Sequence, residues 1–125
     1  MKRVLVVDDS EVNLFLISSI FENVPDIHIH ILNDSKQTLS VLREGTVDLL
    51  ILDLMMPYVD GFQLLEQIKA DSTLSHIPIF VISARYDKEA YDIVSQYKVE
   101  DYIKKPINLD EIELKIRQIL HLVSS

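Results

Sequence analysis

Three short, unbroken apolar runs constrain this chain more than any other feature: Val4-Leu5-Val6-Val7, Leu49-Leu50-Ile51-Leu52 and Ile79-Phe80-Val81-Ile82. Runs of this length without alternation are how strands buried on both faces read, and such strands belong to parallel sheets. Between them lie stretches of helical period: Val12, Phe15, Leu16 and Ile20, then Ala90, Ile93, Val94 and Tyr97, then Ile112, Ile116, Ile119, Leu120 and Val123. Each set places its apolar residues on one helical stripe. Two further strand candidates are weaker. Ile27-His28-Ile29-His30-Ile31 alternates, as an edge strand with one solvated face does, and Asp101-Tyr102-Ile103-Lys104 runs out at Pro106. Asp34 with Gln37 and Asn108 with Glu111 have capping-box spacing, and Gly45 is placed to end the second helix. Strand and helix thus alternate five times, which with right-handed crossovers gives a three-layer α/β fold, a parallel sheet with helices on both faces.

A chain of 125 residues has room for one such core, so residues 1–125 are read as a single domain. Twenty acidic residues against twelve Lys and Arg give a net charge of −8, which argues against direct binding of nucleic acid or an anionic membrane surface. There is no cysteine, so disulfide scaffolds, thiolate metal sites and cysteine nucleophiles are excluded; this agrees with a cytoplasmic location. No apolar run is long enough for a membrane span.

In open parallel sheets, ligands bind beyond the carboxyl ends of the strands. The first strand ends in Asp8-Asp9, the third in Asp53, the fourth in Ser83, and the fifth runs into Lys104-Lys105-Pro106. Three carboxylates brought to one crevice repel one another, and a bound cation relieves that repulsion. An all-oxygen donor set suits a hard cation, Mg²⁺ first, with Mn²⁺ as an alternative. Mg²⁺ held by carboxylates accepts phosphate oxygens, and a hydroxyl and a lysine nearby supply the donors that a transferring phosphoryl group needs. Taken singly, each residue has a plainer reading: Asp8-Asp9 as a helix cap, Asp53 as a loop carboxylate, Ser83 as a strand-end hydroxyl, Lys104 and Lys105 as solvated cations. His28 and His30 share a strand face and are read as solvent-facing, His76 and His121 show no partner spacing, and Tyr97 falls on a core stripe. Tyr86 and Tyr91 carry little weight as a partner surface.

Together, Val7-Asp8-Asp9-Ser10, Asp53-Leu54-Met55-Met56-Pro57 with Asp60-Gly61, Ser83-Ala84 and Tyr102-Ile103-Lys104-Lys105-Pro106 resemble the receiver domain of two-component response regulators. The resemblance covers the whole chain, and its steps of 44 residues from Asp9 to Asp53, 30 to Ser83 and 22 to Lys105 are in the family's register. It implies a flavodoxin-like, doubly wound five-stranded sheet of order 2-1-3-4-5 with five helices. It also implies that Asp53 accepts a phosphoryl group from a histidine kinase or histidine phosphotransfer protein. Asp8, Asp9, Asp53 and the backbone carbonyl of Met55 would hold Mg²⁺, Ser83 and Lys105 would contact the phosphoryl group, and the Lys105-Pro106 bond would be cis. Tyr102 stands where the family has a switch aromatic. Two charged hydrogen bonds from Ser83 and Lys105 would supply about 3–6 kcal/mol, against the roughly 5.5 needed to move a 1:99 population to 99:1.

The implied output is through a downstream protein or a missing C-terminal effector, from a monomer or a phosphorylation-dependent dimer. The domain would be a signalling switch, not an enzyme in the usual sense. Met55 and Arg85, two residues after Asp53 and Ser83, occupy positions that tune phosphate lifetime in the family, and side chains this long imply slow loss. Lys98-Val99-Glu100-Asp101 departs from the common Gly-Ala-Asp, which leaves the end of the fourth helix without its usual glycine. Three rival readings fit the residues less well. A haloacid-dehalogenase-type phosphohydrolase needs a second aspartate at position 55, which is Met; a flavodoxin-like or dinucleotide-binding module lacks any Gly-rich phosphate loop here; a pseudo-receiver would have lost residues that this chain keeps.

Overall fold

The structure, a computed structural model, describes residues 2–22, 26–54, 61–84 and 87–121. In chain order the elements are β1 (Lys2–Val7), α1 (Glu11–Ile20), β2 (Ile27–Leu32), a 3₁₀ turn (Ser35–Gln37), α2 (Thr38–Glu44), β3 (Leu49–Asp53), α3 (Gly61–Ala70), β4 (Ile79–Ser83), α4 (Lys88–Ser95), β5 (Asp101–Lys104) and α5 (Leu109–Ile119). All four strand pairings are parallel, and the sheet order is β2-β1-β3-β4-β5. The expected α/β fold and strand order are therefore present.

The unbroken apolar runs have a direct explanation, because successive side chains of a strand point to opposite faces and here both faces are covered. Leu5, Val7, Leu50, Leu52, Ile79 and Val81 pack with Leu42 of α2, Leu64, Leu65 and Ile68 of α3 and Val94 of α4. The intervening Val4, Val6, Leu49, Ile51, Phe80 and Ile82 pack with Leu14 and Ile17 of α1 and Ile112 and Ile116 of α5. Edge strand β2 follows the alternation only in part. Ile27 is buried and His28 and His30 are exposed, but Ile31 is 45% exposed.

Two local expectations change. The apolar stripe of α1 is not Val12, Phe15, Leu16 and Ile20: Val12 and Phe15 are 67% and 70% exposed, while Leu14, Ile17 and the cap residue Phe21 are buried. This helix carries apolar residues nearly all round, so contact with the sheet and α5 selected the buried face. Asp34 caps the 3₁₀ turn by accepting from Lys36 N–H at 3.0 Å, in place of a capping box with Gln37, and α2 begins only at Thr38. Asn108 does cap α5, accepting from Glu111 N–H at 3.0 Å. Gly45 ends α2 as expected, in an extended conformation. Lys98, in contrast, takes the left-handed conformation at φ 54° after α4, where a β-carbon makes that region costly.

Gly61 is required for another reason. A β-carbon there would stand 2.5 Å from both the Cα and the carbonyl oxygen of Leu54, and backbone cannot swing aside as a flexible side chain can. Gly61→Ala is expected to destabilise the fold by about 1–3 kcal/mol. The check is a lower urea midpoint at unchanged slope, and an unmoved midpoint would show that α3 absorbs the clash.

Candidate functional site

Hydrogen bonds that continue the sheet one residue past its strands set the site residues in place. Asp8 N–H donates to Leu32 O at 3.1 Å, Leu54 N–H to Ile82 O at 3.1 Å and Lys105 N–H to Ser83 O at 2.9 Å. Asp53 lies opposite Ile82, and Ser83 opposite Lys104. The strand ends are thus level, and positions 8, 53, 83 and 105 meet at one edge although helices separate them in sequence.

Asp8, Asp9 and Asp53 each offer a carboxylate oxygen within 4.8 Å of the others. Asp8 and Asp53 are buried, and Asp9 is exposed at the rim. Lys105 reaches in from the end of β5: its Nζ donates to Asp53 Oδ2 at 2.9 Å and stands 3.5 Å from Asp8 Oδ2. Burial alone would lower the pKa of this ammonium, but the hydrogen bond from Lys105 to Asp53 and the charges of Asp53 and Asp8 outweigh it and hold the group above the ordinary lysine value. Three carboxylates against one ammonium leave a deficit of two positive charges. A divalent cation matches that deficit, and the oxygen-only donor set fits a hard one. Ser83 is buried at the end of β4, and the Lys105-Pro106 bond is cis. Met55, with its carbonyl, and Arg85 lie outside the described residues, as do Met56, Pro57, Asp60, Tyr86 and Val123.

Tyr102 packs inward from β5 and is 9% exposed, with its ring stacked on Tyr91 of α4 at 6.3 Å between centroids. Tyr91, itself half-exposed, thus covers the aromatic at the strand edge. His28, His30, His76 and His121 are exposed, and Lys104 points to solvent as its plain reading has it. Sequence reasoning missed two contributors on α1. Ser10 caps that helix and donates its own N–H to Asp8 Oδ1 at 2.9 Å, while the Asn13 amide donates to Asp8 Oδ2 at 3.2 Å. The legible signal was Ser10 as a cap, since the first turn it starts carries Asn13 back over Asp8.

Among the described residues, no helix is long and apolar enough to cross a membrane. Comparison with known proteins adds to this geometry. The family model described as the response regulator receiver domain matches residues 4–117. The chain is 34% identical over 122 residues to response regulator ArlR of Staphylococcus saprophyticus, covering 96% of this chain and 53% of that protein. It is 26% identical over 122 residues to chemotaxis protein CheY of Pseudomonas aeruginosa, covering 98% of each. The chain thus spans about half the length of the former relative and nearly all of the latter. Among solved structures, the signal receiver domain of a DNA-binding response regulator from Colwellia psychrerythraea superposes with a TM-score of 0.89 at 22% identity, covering 97% of this chain and 99% of that one.

Proposed function

Because this chain belongs to the response regulator receiver domain family, we propose that it is a phosphoacceptor switch in which Asp53 takes a phosphoryl group and changes the surface offered to a partner. The observation that carries the reading is the grouping of Asp8, Asp9 and Asp53 within 4.8 Å, with the Lys105 ammonium bound to Asp53 at 2.9 Å. A carboxylate oxygen of Asp53 attacks the phosphorus of a phosphohistidine on a kinase or phosphotransfer protein. The phosphorus-nitrogen bond breaks, its electron pair returns to the imidazole, and an acyl phosphate remains on Asp53. A Mg²⁺ ion held by Asp8, Asp9, Asp53 and the Met55 carbonyl would offset charge on the phosphoryl oxygens. Exposed Val12 and Phe15 on α1 give a donor protein apolar surface to rest on. The reaction is confined to the domain's own aspartate, so the product is a signalling state in the cytoplasm. A downstream protein, or an effector domain elsewhere in a longer chain, would read it.

The switch energetics differ from the simple sum of two new contacts. Lys105 already hydrogen-bonds Asp53, so its bond to a phosphoryl oxygen exchanges one anionic acceptor for another. A bond from the Ser83 hydroxyl to a phosphoryl oxygen would supply about 1.5–3 kcal/mol, the range for a charged acceptor. Ser83→Ala is expected to accept phosphate while its active-to-inactive ratio falls about ten- to hundredfold. Amide chemical shifts of α4 and β5 would read this, and a full wild-type response in the variant would remove Ser83 from the switch. Met55 and Arg85 are proposed to screen the acyl phosphate from water. Met55→Asn combined with Arg85→Ala should shorten its lifetime several-fold in a dephosphorylation time course, and an equal lifetime would refute the screening.

Intact mass after incubation with acetyl phosphate, with Mg²⁺ or with chelator, tests the central reading. The expected result is a gain of one phosphoryl group in the presence of Mg²⁺ alone. Folded protein that gains none under any condition would instead support a pseudo-receiver that works by binding without chemistry.

A further inference from the structure

Asp8 has almost no access to water, and two side chains of different character serve one of its oxygens. Its Oδ1 accepts the Ser10 backbone N–H at 2.9 Å. Its Oδ2 lies 3.2 Å from the Asn13 amide nitrogen and 3.5 Å from the Lys105 ammonium. Lys105 cancels charge and is shared with Asp53, which it approaches more closely, at 2.9 Å. Asn13 is neutral, and its own position is set by the helix cap, since its backbone N–H donates to Ser10 Oγ at 3.3 Å. A neutral donor turns a carboxylate without reducing the charge that the carboxylate presents to a cation, which is the usual task of groups one step behind metal ligands.

We propose that Asn13 is a positioning residue for the cation site, holding Asp8 in the orientation in which it acts with Asp9 and Asp53 on a divalent metal ion. This rests on the reading of those three aspartates as the metal site and adds to it the element that aims one of them. The physical demand is greatest once Asp53 is phosphorylated. Lys105 then turns to the phosphoryl group, and Asn13 is the side-chain donor left on Asp8 Oδ2 among the contacts described here. An amide does this where a lysine would not, because a second ammonium at this position would compete with the metal for the same oxygen.

The test is a Mg²⁺ titration of the unphosphorylated protein, followed through the backbone amide resonances of Asp9 and Ser10, in wild type and Asn13→Ala. Phosphoryl uptake from acetyl phosphate is then measured across the same Mg²⁺ range. The Mg²⁺ dissociation constant is expected to rise about tenfold in Asn13→Ala. The half-saturating Mg²⁺ concentration for uptake should rise equally, while the rate at saturating Mg²⁺ stays within twofold of wild type. Asn13→Ser, which keeps a shorter donor, should fall between the two and serves as the comparison should the alanine variant fail to fold. Equal Mg²⁺ affinity in wild type and a folded variant overturns the role of Asn13 and leaves the metal site standing. Unchanged affinity with a slower saturated rate also overturns it, because Asn13 would then act in the transfer step. A wild type whose amides do not respond to Mg²⁺ overturns the metal site itself.

Discussion

Asp53→Ala will gain no phosphoryl group from acetyl phosphate at any Mg²⁺ concentration, whereas the wild type gains one. The expectation is all-or-none because the transfer needs an oxygen nucleophile at the point where Lys105 and the neighbouring aspartates converge. Asp8 is turned toward α1, its Oδ1 accepting from the Ser10 N–H and its Oδ2 from the Asn13 amide. Asp9 is exposed at the rim, away from the 2.9 Å contact that Lys105 makes with Asp53. Intact mass, with peptide mapping of any residual adduct, is the measurement. A variant still phosphorylated to the wild-type extent would move the acceptor to another residue and overturn the assignment of this crevice. Asn in place of Ala is the informative companion, since it keeps the shape of Asp53 and removes only its charge and nucleophilicity.

The second large effect is on stability. In Lys105→Met the carboxylates of Asp8 and Asp53, 1% and 0% exposed, lose their shared ammonium while Asp9 stays within 4.8 Å. Removing one partner of a buried pair leaves the other charge without compensation, at a cost of about 3–5 kcal/mol. The variant should therefore unfold at a much lower urea concentration than wild type in metal-free buffer. Added Mg²⁺ should recover much of the loss, because a ligand at a hundred times its dissociation constant stabilises by about 2.7 kcal/mol. Equal midpoints in chelator would show that the cluster needs no counter-charge. The pH dependence has a definite sign. Because the Lys105 pKa is raised in the fold, its contribution is complete at neutral pH and is lost only as pH climbs through that raised value. Wild type and variant should approach one another in strongly alkaline solution.

The runs at positions 4–7, 49–52 and 79–82 settle three central strands by themselves, because only a strand covered on both faces needs apolar residues at every position. The acids and hydroxyl at the ends of those strands, and the lysine after β5, come to one edge because a parallel sheet aligns its carboxyl ends whatever the helices between do. Tertiary structure decided the rest. Apolar residues at 12, 14, 15, 16, 17 and 20 fit two overlapping stripes of α1, and only packing against the sheet and α5 buries Leu14 and Ile17 and leaves Phe15 outside. Lys98 adopts a left-handed backbone that its residue type disfavours, since the chain must turn there to reach β5. The Asn13 amide on Asp8 and the prior claim of Asp53 on Lys105 are likewise invisible in sequence. Residue order fixes which groups reach an edge, but hydrogen bonds and ion pairs depend on distances of a few tenths of an ångström, and those are set by how the layers pack.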